Sequence, residues 1–243
     1  MDHRNRGGRK QTIRWYRLGI LVAMELLMSF SFLGYVHIAP ISITFAYIPV
    51  LLAGVLMGPP ESTILGTTFG LASMWKASAS YVMPADKLFS PLLSGHPVES
   101  LLLSVGTRVL FGLLVGFLYL AAKRTRHKGL WIGVISFFGR PLHSLLVYSA
   151  MWCFFPETGY SPLNVFTDFW SASSLATNLV TIGVCLLCWR VQRSAAWQKF
   201  QHQMDVVQEM RLAEHYHHYS LIPVDPGDAL LRRRGGGLFR PPH

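Results

Sequence analysis

Charge is scarce in this chain. Only 14% of its 243 residues are Asp, Glu, Lys or Arg, where a soluble domain carries about 25%. The acidic side is thinnest, with 12 Asp and Glu against 22 Lys and Arg. What charge there is gathers in the first 17 residues, around 123–128 and after residue 190. Long apolar runs fill the intervals, and 51% of the chain is hydrophobic. That pattern argues against a soluble core and points to a polytopic membrane protein.

Other absences narrow the function. The sequence holds no G-x-x-x-x-G-K-[ST] phosphate loop, so it does not itself hydrolyse ATP by that route. It has no H-E-x-x-H, no G-x-S-x-G and no acidic pair that would argue for an enzyme. Cysteine is limited to Cys153, Cys185 and Cys188. Cys185 and Cys188 have a redox or zinc spacing, but no second pair exists and their surroundings are apolar, so they read as small packing residues. His215, His217 and His218 read as a solvated run rather than a metal site. No metal and no cofactor is expected. The net charge of +10 is explained by the flanks of membrane spans rather than by nucleic acid. A basic N-terminus followed by a long apolar run without an A-x-A-like site reads as a retained first span, not a cleaved signal peptide.

A helix needs about 20 apolar residues to cross the hydrocarbon core. Six candidates follow: about 18–35, 41–57, 62–75, 98–122, 129–155 and 165–189. The apolar stretch 41–75 is too long for one span, since about 35 helical residues measure roughly 50 Å. Gly58-Pro59-Pro60 divides it into a hairpin, because proline lacks a donor and disfavours helix at the residue before it. Glu61 then places a carboxylate at the next helix N-terminus. Pro49 predicts a kink inside the second span, and Arg140-Pro141 an interruption of the fifth. Arg4, Arg6, Arg9, Lys10, Arg14 and Arg17 share a side with the 123–128 cluster and with Arg190 and Arg193. The opposite side carries only Lys76 and Lys87, so both termini are expected in the cytoplasm. The expected fold is all-α, a polytopic membrane protein of six transmembrane helices. Its parts are a basic N-terminus (1–17), a membrane domain (18–190) and a cytoplasmic helix with a disordered basic tail (191–243). Within that tail, residues 192–216 carry an apolar stripe suited to a membrane surface or a coiled coil.

Ionisable groups inside spans carry most information, because each needs a partner or a cavity. Glu25, Arg108 and Arg140 all fall near the expected bilayer centre. They form either a buried Glu–Arg pair or, through the surplus arginine, an anion-binding group. Toward the outer side lie His37, Tyr47, Trp75, Lys76, Tyr81, Trp170 and Asn178. The aromatics also suit an interfacial belt, whereas an amide inside a span demands a hydrogen-bond partner. Asp168 lies nearer the boundary and reads as solvated. Gly19 and Ala23 form a small-x-x-x-small face on the first helix, suited to close helix contact.

The stretch PISITFAYIPVLLAGVLMGP (40–59), continuing into GTTFG (66–70), resembles the second and third helices of energy-coupling factor (ECF) transporter S components. VGTRVLFGLLVGF (105–117) resembles that family's fourth helix, where an arginine precedes a glycine-rich face. The similarity covers about residues 15–192, and the branch most resembled includes folate and pantothenate carriers. It implies a substrate-binding membrane subunit of an importer for a vitamin or related micronutrient, working with a transmembrane coupling subunit and two ATPase subunits. Gly19 and Ala23 are then the nearest match to the family's coupling contact. On this reading loops 36–40, 77–97 and 156–164 close over a carboxylate-bearing ligand. Trp75, Tyr81 and Trp170 pack on it, Lys76, Arg108 or Arg140 meet its charge, and Asn178 hydrogen-bonds it. The alternative is a membrane sensor or signalling anchor whose helix 192–216 couples to a partner.

Overall fold

A computed structural model describes residues 3–31, 35–38, 41–80 and 84–195, with a few positions beyond. Helices α1 (His3–Phe30), α2 (Ile48–Leu56), α3 (Pro59–Ala79), α4 (Pro97–Leu101), α5 (Thr107–Ala122), α6 (Lys128–Phe154), α7 (Asn164–Phe169) and α8 (Ala172–Arg193) carry almost all of it. Two short strands, β1 (Tyr35–Ile38) and β2 (Ile41–Thr44), pair antiparallel, with Ile38 opposite Ile41. Residues 194–243 form a separate unit, and the segment 192–216 lies largely outside the described residues.

Three helices are long and apolar enough to cross a membrane: Pro97–Ala122, Lys128–Phe154 and Ala172–Arg193. The first joins α4 to α5 through a π-helical turn, Leu102–Gly106. The others depart from simple spans in instructive ways. The stretch 41–57 is not one helix. Its alternating Ile-Ser-Ile-Thr run, rich in β-branched residues, pairs as a strand with β1, and only Ile48–Leu56 is helical. Pro49 sits in the first turn of α2, where no amide is needed, so it starts the helix rather than kinking it. Pro141, by contrast, lies within an unbroken α6. It removes one donor and frees the carbonyl of Phe137 without ending the helix. The sixth candidate span is broken instead: α7 stops at Phe169, and Ser171 caps α8 by accepting the Ser174 amide at 3.2 Å.

The break at Gly58-Pro59-Pro60 forms as the sequence predicts. Gly58 has φ 143°, a conformation that favours glycine, and both prolines open α3. Every α2 residue from Ile48 to Val55 is buried, as expected of a helix apolar on all sides. Its last carbonyls find donors from elsewhere: Lys123 Nζ reaches Gly54 O at 3.5 Å and Gln192 Nε2 reaches Leu56 O at 3.2 Å. At this same end Arg14 bonds Glu61, whose carboxylate raises the arginine's pKa by accepting that bond and by its charge. These contacts gather residues 14, 54–61, 123 and 192 at one end of the bundle.

The tightest seam joins α3 to α5. Gly66 meets Arg108 and Gly112, Gly70 meets Ser104 and Val105, and Gly112 and Gly116 meet Ser62 and Pro59, so glycines on both sides let the backbones approach. A Cβ on Gly66 would stand 2.2 Å from Arg108 O, and one on Gly112 would stand 2.2 Å from Ser62 O. Ser62 Oγ donates across the seam to Gly112 O at 2.7 Å. Gly19 and Ala23 make no such contact. Both are exposed, and nothing lies within 4 Å of where a Gly19 side chain would begin.

Candidate functional site

Three helix faces converge on a small cavity of about 10 Å³, about the room one water needs. Helix α6 supplies Arg140, Pro141 and Ser144, α7 supplies Val165, Asp168 and Phe169, and α8 supplies Ser174 and Asn178. The spacing explains the convergence. Arg140 and Ser144 are four apart, as are Ser174 and Asn178, and Asp168 stands three beyond Val165, so each set shares one helical face. Tyr148, a further turn along α6, donates its hydroxyl to Asp168 Oδ2 and stacks on Tyr160 with ring centroids 5.7 Å apart.

The polar groups of this cavity are incompletely satisfied. Asn178 is 0% exposed, yet neither its Nδ2 nor its Oδ1 has a hydrogen-bond partner among the described residues. Arg140 Nη1 is likewise buried without one. Leaving a buried polar group unpaired costs roughly 1–3 kcal/mol, more for a charged one. In native structures such groups are few and call for an explanation. Here they share one cavity, and a polar ligand would satisfy both.

The buried side of α8 continues the polar lining. Ser174, Thr177, Asn178, Thr181 and Cys185 are all buried, a hydroxyl and amide stripe where a lipid-facing helix would carry leucine. Below Asn178 the stripe is satisfied: Tyr47 and Thr181 hydroxyls lie 2.8 Å apart, and Thr181 Oγ1 donates to Thr177 O at 2.8 Å. Only the turn facing the cavity is left open.

Arg108 occupies a different setting. Its Nη1 donates to Leu103 O at 2.7 Å and to Thr107 Oγ1 at 3.1 Å. Its guanidinium lies over the rings of Phe89 and Phe69, 4.9 and 5.5 Å from their centroids. Leu103 O, in the π-helical turn, also accepts from Thr107 Oγ1 at 2.6 Å, so two side chains converge on it. Ser104 Oγ donates to Phe89 O at 2.5 Å and the Ser78 and Ser90 hydroxyls meet at 2.8 Å. Together they tie the turn Pro84–Phe89 to α3 and α5. His143 lies between the two arginines: it packs on Phe69 and Phe111, and both arginine charges act on it.

Of the residues expected to bind substrate, then, Arg140 and Asn178 line one cavity. Trp170 is 73% exposed and touches the site through its edge contact with the lining Phe169. Arg108 does not line the cavity. Trp75 is 67% exposed on the outer face of α3, and Lys76 is half-buried within electrostatic reach of Asp86. Tyr81 lies outside the described residues. The expected pairing of Glu25 with an arginine does not form. Glu25 is enclosed by α1 and its neighbours, with Ser29 donating to its Oε1 at 3.1 Å and Oε2 unpartnered. Arg108 bonds its own helix instead, and Arg140 lies on α6 facing the cavity. Asp168, read from the sequence as solvated, is a wall of the cavity, as are Ser144 and Ser174. Asp168 is half-buried there, on one helical face with Val165 and Phe169, so lining the cavity and meeting solvent are compatible.

Comparison with known families agrees with the resemblance seen in the sequence. The family described as ECF transporter, substrate-specific component, matches residues 15–191. No curated protein matches the chain. With most of its length covered by that one match, including every lining residue of the cavity, the chain belongs to the ECF transporter substrate-specific component family, a transport subunit rather than an enzyme.

Proposed function

We propose that this chain is the S component of an ECF-type ABC importer, and that the α6–α7–α8 cavity captures a carboxylate-bearing vitamin or related micronutrient. The observation that carries the site is the pair of buried, unpartnered groups on Arg140 and Asn178. A carboxylate can accept two parallel hydrogen bonds from a guanidinium, and a primary amide can donate to one ligand atom while accepting from another. Arg108 serves the neighbouring wall through His143 and the Pro84–Phe89 turn, and Trp170 flanks the cavity mouth. Trp75, Lys76 and Tyr81 belong to the outer surface over which the ligand arrives. In sequence the chain resembles the branch that includes folate and pantothenate carriers, which points to substrates of that kind.

In the membrane the chain makes six crossings, with both termini in the cytoplasm of the cell. This topology is supported by the basic residues gathered at one end and by the three long apolar helices. Helix α2 is short, about 14 Å at 1.5 Å per residue, and its crossing is feasible because neighbouring helices enclose it. The exposed α1 face at Gly19 and Ala23 receives the transmembrane coupling subunit, which in turn engages two ATPases.

The test is a thermal-stability screen of the purified protein against carboxylated vitamins, since a ligand that binds only the folded state raises its stability. One of them should stabilise the wild type and leave Arg140→Ala unmoved. If every stabilising ligand acts equally on both, the cavity is not the binding site.

A further inference from the structure

Helix α7 (Asn164–Phe169) and the residues flanking it are built inside out. Leu163 and Trp170, just beyond its ends, keep helical backbone angles. Positions 163, 166, 167 and 170 therefore recur at helical spacing and share one face. On it stand Leu163, Phe166, Thr167 and Trp170, all exposed. The one charged side chain, Asp168, lies on the opposite face, where it accepts the Tyr148 hydroxyl from α6. Phe169 shares that inner face and packs on Phe137 and Phe138, with ring centroids 5.8 and 6.2 Å away. A helix on a water-facing surface would turn its carboxylate out and its large apolar residues in.

Depth in the bundle says what covers the outer face. Helix α6 starts at Lys128, the last residue of the basic cluster 123–128. Tyr148 follows twenty residues later, about 30 Å along a helix. That distance matches the thickness of the hydrocarbon core, so the Tyr148–Asp168 contact sets α7 at the interface opposite the basic end. Phe138, on which Phe169 stacks, is exposed and belongs to a helix long and apolar enough to cross a membrane. The end of α7 thus lies beside a lipid-facing surface, at a level where tryptophan is favoured because its ring is amphipathic. Leu163, Phe166 and Trp170 are too few for a stable protein interface, which takes about 20–30 residues a side.

We infer that α7 is an interfacial helix whose outer partner is lipid. Leu163, Phe166 and Trp170 insert at the boundary between headgroups and acyl chains, while Asp168 and Phe169 hold α6. The membrane then supports from behind the wall that α7 gives to the α6–α7–α8 cavity. This holds whatever the cavity binds.

The experiment places a nitroxide at Thr167, the one polar position on the outer face, in the full-length protein in lipid nanodiscs. Cys153→Ser removes the exposed native thiol, and the same protein without Thr167→Cys measures labelling elsewhere. Glu157→Cys, at an exposed position just beyond α6, is the water-facing reference. Power saturation compares collisions with oxygen, which concentrates in lipid, and with a water-soluble nickel chelate. The ratio of oxygen to nickel accessibility should be several-fold higher at Thr167 than at Glu157. Equal ratios would put the face in water and overturn the inference. A Thr167 label shielded from both reagents would also overturn it, by showing that a second copy or a partner subunit covers the face. A second measurement needs no new cysteine. The emission of Trp170, taken as wild type minus Trp170→Phe, should be mostly quenched by lipids brominated near the top of their acyl chains. Undiminished emission would overturn the inference even where the labelled variants do not fold.

Discussion

The α3–α5 seam and the α6–α7–α8 cavity sit in the same bundle and are built by opposite rules. In the seam, glycines let backbones approach so closely that no side chain fits, and Ser62 spans the contact with a hydrogen bond. In the cavity, polar side chains are buried with space before them and no partner. Apolar residues in their place would be easier to keep in a membrane interior, where an unpaired polar group is costly. The seam therefore carries packing and the cavity is the proposed binding site, and substitutions in the two regions should fail in different ways.

The seam gives the largest effect. Gly112→Val places a Cβ 2.2 Å from Ser62 O, and overpacking against a backbone that cannot yield should remove about 3 kcal/mol or more of stability. Little monodisperse protein should be recovered on size-exclusion chromatography, whereas Gly19→Val, which meets nothing within 4 Å, should elute as the wild type does. Equal behaviour of the two variants would erase the distinction between a packed glycine and an open one.

Next comes the cavity. Arg140→Gln should lower affinity for the stabilising carboxylate roughly 10–100-fold, the worth of a charge-assisted hydrogen bond. Its unliganded unfolding temperature should stay near that of the wild type, because Arg140 Nη1 makes no hydrogen bond that could be lost. A parallel fall in both quantities would make Arg140 structural. Asn178→Leu sharpens the point: relieving two unpaired amide atoms should raise stability by about 1–2 kcal/mol while abolishing binding. Loss of stability on removing the amide would show that Asn178 has a partner after all.

The smallest effect belongs to the Arg14–Glu61 ion pair beside the Gly58-Pro59-Pro60 turn. Arg14→Ala should cost about 1 kcal/mol: Arg14 is largely exposed and screened, while Glu61, 4% exposed, loses its partner. The difference from wild type should shrink further in concentrated salt.

Much of this contrast can be read from residues alone, though unevenly. The Gly58-Pro59-Pro60 turn was legible because proline and glycine act locally, through missing donors and allowed φ values. The three long helices were legible from length and apolarity. The strand at Ile41–Thr44 was not, because a short apolar run has no period that separates strand from buried helix. Pro141 misled for a related reason: a proline's effect depends on whether neighbours hold the helix together, which is tertiary information. In the site, Arg140 and Asn178 stood out because ionisable and amide groups are expensive within a span. Asp168, Ser144 and Tyr148 did not stand out, since their part depends on three helices converging. The close approach of α3 and α5 was half visible, as the glycines of 66–70 and 105–117, but which backbone each one meets only the fold reveals.

The account turns on the cavity holding the transported molecule, and one measurement addresses that without knowing its identity. Wild type and the double variant Arg140→Gln/Asn178→Leu would be purified in parallel from the same growth medium, matched for folded protein, and denatured, with the released small molecules compared by mass spectrometry. The account predicts a carboxylate-bearing compound stoichiometric with the wild type and missing from the double variant. The same compound released at the same occupancy from both would contradict it.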